Sequence, residues 1–299
     1  MTTVEDRPAV TAPSAQSRRS SSLPTRLGRG VRHHAIAAFA VLVLAYLFLP
    51  VVVVVVFSFN NPAGRFNFAW QGFTLDAWLH PCSPAGMCDS VLLSLQIGLL
   101  ATLVATVLGT LLAFGLVRHR FRGRAATSLL VFLPMATPEV VMGASLLTLF
   151  VNLGVQTGFA TILIAHILFN VSFVVVTVKA RLAGLDSRLE EAAMDLYATE
   201  WQTFRRITLP LAAPGIVSAA LLAFALSFDD FIVTNFVSGT TVTFPMFVWG
   251  AAQRGVPPEV NVVGAAMFVL ALLCVGAAAL ARRTRTARQR PPVSRRASR

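Results

Sequence analysis

The run AIAAFAVLVLAYLFLPVVVVVVF, residues 35–57, decides the fold. It is 23 residues long and carries no charge. A helix rises about 1.5 Å per residue and the hydrocarbon core of a bilayer is about 30 Å thick, so the run is long enough to span. Its six consecutive valines, Val51 to Val56, would favour a strand in water. In lipid an isolated strand leaves its backbone N–H and C=O groups without partners, so the helix wins.

Five further apolar runs lie downstream, at 91–117, 125–151, 159–178, 216–237 and 262–281. The expected fold is an all-α polytopic membrane protein with six transmembrane helices over 35–281. A disordered basic arm at 1–34 and a basic tail at 282–299 flank it. Composition agrees: of 299 residues 56% are apolar and 13% charged, with a mean hydropathy of +0.71. A soluble domain cannot bury that much apolar surface. Pro134 and Pro138 must kink the third span or shorten its helix. In the second span Gly98, Ala101, Ala105 and Gly109 recur on one face, a spacing that lets another helix approach closely.

The 25 basic and 13 acidic residues give a net charge of +12. Six spans place 23 of the 25 basic residues in the two terminal segments and the second and fourth loops, and only Arg65 and Arg254 on the opposite side. Cationic segments stay cytoplasmic, so both termini are expected inside. The charge excess is thus a record of topology beside the lipid bilayer, and no nucleic acid is expected as a partner. Three cysteines are too few for a disulfide scaffold. Cys82 and Cys88 form a small disulfide if their loop faces an oxidising compartment, and otherwise stay as two free thiols.

The fourth loop has helical patterning of its own. Ser187 with Glu190 forms a possible capping box, and Leu189, Ala192, Ala193 and Leu196 then share one helical face. Thr199 with Gln202 forms a second box, followed by Trp201, Phe204 and Ile207, with Pro210 ending that helix. Two short amphipathic helices at the membrane surface need a cover, either the protein's own helix ends or a cytoplasmic partner.

The stretch EAAMDLYATEWQTFRRITLP, residues 191–210, resembles the EAA signature of the permease subunits of bacterial binding-protein-dependent ABC importers. Glu191, Ala192 and Ala193 open the motif, and Ile207, Leu209 and Pro210 close it. Tyr197 stands where the family has glycine. A left-handed residue there costs tyrosine about 1 kcal/mol, so the shape of the turn depends on whether tyrosine adopts it. The resemblance implies a plasma-membrane permease whose loop 187–210 docks into an ATPase subunit. It further implies a second permease, two ATPase subunits that bind ATP and Mg, an extracytoplasmic solute-binding protein, and no cofactor in this chain.

Glu139, Asp229 and Asp230 fall within spans, where a carboxylate costs about 2.5–3.5 kcal/mol and should face a cavity, a pathway or a partner. With Asn235 they are the candidate substrate pathway, and acidic residues there favour a cationic solute. The segments SFDDFIVTNFVSG and TFPMFVWGAAQRGVPPEVN resemble the second permease of spermidine/putrescine importers, which implies a polyamine. His166 and Asn170, one turn apart, are expected to bond between helices, a proton relay being the alternative. No nucleophile set, metal-ligand spacing or phosphate-binding glycine loop is present, so this chain is not expected to be an enzyme. The rival functions are a self-sufficient secondary carrier of a cation and a permease for another solute, such as an iron complex.

Overall fold

The computed structural model describes residues 25–288, with side chains described over 35–273. The chain divides into two compact units, 1–53 and 54–299. The described part of the first is the leading portion of helix α1 (Thr25–Phe57), which runs unbroken through Pro50 and the valines. The second unit contains α2 (Asp76–Leu79), α3 (Met87–Arg118), α4 (Arg124–Ala136), α5 (Glu139–Asn152) and α6 (Phe159–Ala183). It continues with α7 (Arg188–Asp195), α8 (Glu200–Thr203), α9 (Leu209–Asp229), α10 (Ile232–Val237), α11 (Phe244–Arg254) and α12 (Pro258–Arg288).

Among the described residues four helices are long and apolar enough to cross a membrane: the 35–57 part of α1, α3, α6 and the rod Glu200–Asp229. The pair α4–α5 makes a fifth if its two halves are one span. Residues 1–24 and 289–299 of the expected arm and tail lie outside the described residues. Residues 25–34 and 282–288 continue α1 and α12, because adding a residue to an existing helix is cheap whatever its hydropathy.

The centre of the second unit is the trio α3, α6 and α9. The small-residue face of α3 is where they meet: Gly98, Ala101, Ala105, Gly109 and Ala113 are all buried. From α9 Ala212, Gly215, Ala219 and Ala223 are buried in turn. A Cβ on Gly109 would sit 2.6 Å from Val174 Cγ1, and one on Gly215 would sit 2.5 Å from the Arg181 stem. Arg181 then donates from Nε and Nη2 to the Leu211 carbonyl at 3.1 and 2.8 Å, tying α6 to α9.

The prolines bend the third run as expected, into two helices at 106° with the break at Thr137–Pro138, while two other expectations need correction. Pro138 pushes Thr137 out of the helical region (φ −82°, ψ 132°) and offers no N–H to continue the ladder. The run 216–237 is likewise not continuous: α9 stops at Asp229, Asp230 is extended, and α10 restarts at Ile232. Pro210, in turn, does not end a helix. A π turn over Phe204–Thr208 widens the coil ahead of it, so Pro210 falls in the first turn of α9 and α8 runs on into the membrane-length rod.

In the fourth loop the first capping box does not form. Ser187 makes no side-chain cap, and Asp186 Oδ1 accepts from Arg188 N at 3.0 Å instead. The second box is present: Gln202 N donates to Thr199 Oγ1 at 3.3 Å, and Thr199 N to Gln202 Oε1 at 3.1 Å. Between the two helices Tyr197 takes the left-handed conformation, with φ +63°. The turn therefore keeps the shape a glycine would give it, and the ring, 97% exposed, adds no packing in return.

Two stability measurements follow from this geometry. Tyr197→Gly should stabilise the detergent-solubilised protein by about 0.5–1 kcal/mol, read as a raised unfolding midpoint. Gly109→Ala should destabilise it by about 1–3 kcal/mol, because the new methyl meets the branched Val174; an unchanged midpoint would show that α3 and α6 are not in close contact there.

Candidate functional site

The two helix breaks face one cavity. A space of about 480 Å³ is lined by Pro134, Thr137 and Glu139 at the α4–α5 break, by Asp229 and Asp230 at the α9–α10 break, and by Phe169 of α6 among others. The structure thus brings together Glu139, Asp229 and Asp230 and leaves Asn235, exposed on α10, outside the cavity lining. Packing of α5 on α10 holds the two breaks together: a Cβ on Gly143 would sit 2.6 Å from the Phe236 ring.

The two aspartates have different surroundings. Asp230 is turned inward. Its Oδ2 accepts from Thr234 N at 2.8 Å and Thr234 Oγ1 at 2.7 Å, which caps the start of α10. His166 Nε2 lies 2.9 Å from Thr234 Oγ1 and 3.4 Å from Asp230 Oδ2, and its Nδ1 lies 2.6 Å from Ser227 Oγ. Because Thr234 gives its hydroxyl proton to Asp230, it accepts from Nε2–H, and a neutral His166 then accepts at Nδ1 from Ser227. His166 therefore bonds between helices as expected, but not in a pair with Asn170. Asn170 is fully buried, and neither its oxygen nor its nitrogen has a hydrogen-bond partner among the described residues.

Asp229 is left open to the cavity, and it also borders a second space of about 420 Å³. Phe228, Phe231, Phe244 and Trp249 line that space. The Phe231 and Trp249 rings lie 5.2 Å apart, and those of Phe228 and Phe244 6.1 Å apart. Helix α11, which supplies Phe244 and Trp249, was not expected from the hydropathy of this loop. Its punctuation was nevertheless visible, with Pro245 in the first turn and Gly255 just past the end.

At the other end, the fourth loop is pinned from within and open without. Glu190 accepts from Arg118 Nη2 at the end of α3 and from Thr208 Oγ1 at 2.6 Å. Phe204 packs edge-on against Phe114, with ring centroids 5.3 Å apart. Of the expected apolar face only Ala193 is buried, while Leu189, Ala192 and Leu196 point outward with Glu191. Trp201 is 66% exposed. Ile207 is half-buried, whereas Leu209 and Pro210 are exposed. Across the molecule, Cys82 and Cys88 are disulfide-bonded, with Cα atoms 5.3 Å apart.

Comparison with known proteins agrees with this arrangement. Residues 105–286 match the family described as the inner membrane component of binding-protein-dependent transport systems. The chain is 40% identical over 239 residues to the spermidine/putrescine transport system permease protein PotC of Haemophilus influenzae, covering 80% of this chain and 92% of that protein. It is 39% identical over 240 residues to the putrescine transport system permease protein PotI of Escherichia coli, covering 78% and 82%. Among solved structures, a bacterial alginate ABC transporter in complex with an alginate pentasaccharide-bound periplasmic protein shares the fold with a TM-score of 0.60 at 18% identity, over 84% of this chain and 93% of that one. The MetNI methionine ABC transporter does so at 0.52 and 18%, over 64% and 92%. The chain belongs to the inner membrane components of binding-protein-dependent transport systems: it is a multi-pass permease subunit of an ABC importer, and the ATPase is a separate subunit.

Proposed function

We propose that this permease carries a polyamine of the spermidine/putrescine type inward across the bacterial plasma membrane. The observation that carries this reading is the meeting of Glu139 and Asp229 on one cavity between two broken helices, with the aromatic space beside Asp229. Discontinuous helices at mid-membrane are where transporters place their solutes. A polyamine is a chain of ammonium groups separated by methylenes. Carboxylates match the charges, and aromatic faces such as Phe231 and Trp249 attract a cation at about 0.5–2 kcal/mol each. Asp230, already engaged by Thr234 and His166, holds the break open and is a positioning residue rather than a contact.

In the same reading the chain crosses the membrane six times with both termini cytoplasmic. Contacts within the second unit fit that topology. Arg65 and Gly255 meet on one side, as do Thr157 and Gly239, whereas Arg118, Glu190 and Thr208 meet on the other. The outward face of loop 187–210, with Glu191, Leu196, Tyr197 and Trp201, docks an ATPase subunit that binds ATP and Mg. A second permease, two ATPase copies and an extracytoplasmic binding protein complete the transporter. Closure of the ATPases pushes on α7 and α8, and the Glu190–Arg118 pair and the π turn pass that push to α3 and α9.

Asp229→Asn and Glu139→Gln should each lower polyamine uptake by about tenfold, equivalent to about 1.4 kcal/mol of lost charge pairing. ATPase activity stimulated by the binding protein should persist, and undiminished uptake by the double variant would rule out the acidic pathway. Docking is tested separately. Trp201→Asp should abolish co-purification of the ATPase while lowering the unfolding midpoint of the permease only slightly, because the ring is 66% exposed and stacks on Phe204 at 5.6 Å without filling the core.

A further inference from the structure

The loop that follows α1 buries two asparagines and carries most of its large apolar side chains outside. Asn60 is fully buried. Its Nδ2 donates to Asn67 Oδ1 at 2.6 Å and to the Ala69 carbonyl at 2.8 Å, and its Oδ1 accepts from Gln71 N at 2.8 Å. Asn67, also buried, donates to the Phe57 carbonyl at 2.8 Å, and Ser58 Oγ donates to the Val55 carbonyl at 2.7 Å. The last carbonyls of α1, which would ordinarily turn to water, are thereby satisfied by side chains. A bridge of Asn61 N to the Gly72 carbonyl and Thr74 N to the Phe59 carbonyl closes the loop.

The outer surface is the reverse. Phe68 is 72% exposed and Phe73 69%, with Phe66, Trp70 and Leu79 also exposed. Between 58 and 79 only Arg65 and Asp76 are charged, against six aromatic residues. In water this distribution forfeits about 1.5–3 kcal/mol for each large side chain left outside. In an apolar medium it is the expected one, because there the backbone must be satisfied internally. The Trp70 ring lies edge-on to that of Phe57, the last residue of α1, with centroids 6.4 Å apart. The aromatic surface is therefore continuous with the end of a membrane span.

We propose that residues 59–79 are an interfacial anchor, with the face bearing Phe66, Phe68, Trp70 and Phe73 sunk into the headgroup–acyl boundary of the leaflet in which α1 ends. Aromatic side chains gather at that depth, and segments lying in the interface bury their apolar face about 5–10 Å. Lipid, rather than a protein, is the occupant. A protein interface carries about one hydrogen bond per 100–200 Å², and this face has turned Asn60 and Asn67 inward and leaves few polar side chains, Asn61, Arg65 and Gln71 among them, to make such bonds. The anchor holds the start of the second unit at a fixed depth, whichever solute is carried.

The test is site-directed spin labelling of Phe68→Cys and Phe73→Cys, each combined with Cys274→Ser and with the Cys82–Cys88 bond left oxidised. The labelled chain is assembled with its partner subunits in lipid nanodiscs. Labels at both positions should collide several-fold more often with dissolved oxygen than with a water-soluble nickel chelate, and a label at exposed Gln156 should show the opposite. Nickel access at 68 and 73 equal to that at 156 would place the loop in water and overturn the proposal. Labels reached by neither reagent would show a protein cover and overturn it equally. Should a labelled chain fail to assemble, the native Trp70 gives the same answer. Lipids brominated on the acyl chain should quench a fluorescence component that is lost in Trp70→Phe, and no such component would refute the anchor.

Discussion

A helix that restarts inside an apolar run exposes the backbone N–H groups of its first turn, which then need an acceptor other than water. Here the Asp230 carboxylate takes them. By accepting from the N–H and the hydroxyl of Thr234 it allows α9 to end and α10 to begin after two intervening residues. His166, from the neighbouring α6, closes the arrangement by bonding to Thr234 and Ser227 on either side of the break. Remove this network and the first turn of α10 loses its side-chain acceptor, at the break that forms one wall of the cavity. The proline break at 137–138 supplies the opposite wall by a different means, taking away a donor rather than satisfying one.

Much of this was legible from residue patterns. The apolar runs located the long helices. The glycine and alanine spacing on α3 marked the face that α6 and α9 cover, because close approach of helices depends on side-chain size alone. The T-x-x-Q box formed because both of its partners are local. What failed were rules whose local partner had a better offer elsewhere. Glu190 fits the far half of a local capping box, but Arg118 and Thr208 compete for it across the fold. Pro210 fits a helix stop, but the π turn before it removes the clash that would make it one.

The candidate site was legible to a lesser degree. Carboxylates in apolar runs flag themselves by their cost, so Glu139, Asp229 and Asp230 were found. Nothing in the sequence told which of two adjacent aspartates would be spent on capping and which would face the cavity. That depended on where α9 broke, and the break depended in turn on His166, some sixty positions earlier. The aromatic space beside Asp229 was missed for a related reason. Phe244 and Trp249 look like ordinary loop hydrophobics until α11 brings them against Phe228 and Phe231.

The rod from Glu200 to Asp229 has a mechanical meaning. Thirty residues make a helix of about 45 Å, long enough to cross a bilayer, and it links the exposed Trp201 to the cavity through the π turn at Phe204–Thr208. Such a rod behaves as a lever. A tilt of about 10° pivoting at its Glu200 end would carry the Asp229 end sideways by about 8 Å, more than the width of an ammonium group. Moving the pivot to the small-residue crossing with α3 would roughly halve that throw and swing the Glu200 end the opposite way. The position of the fulcrum along α9, together with the tilt angle, sets the stroke.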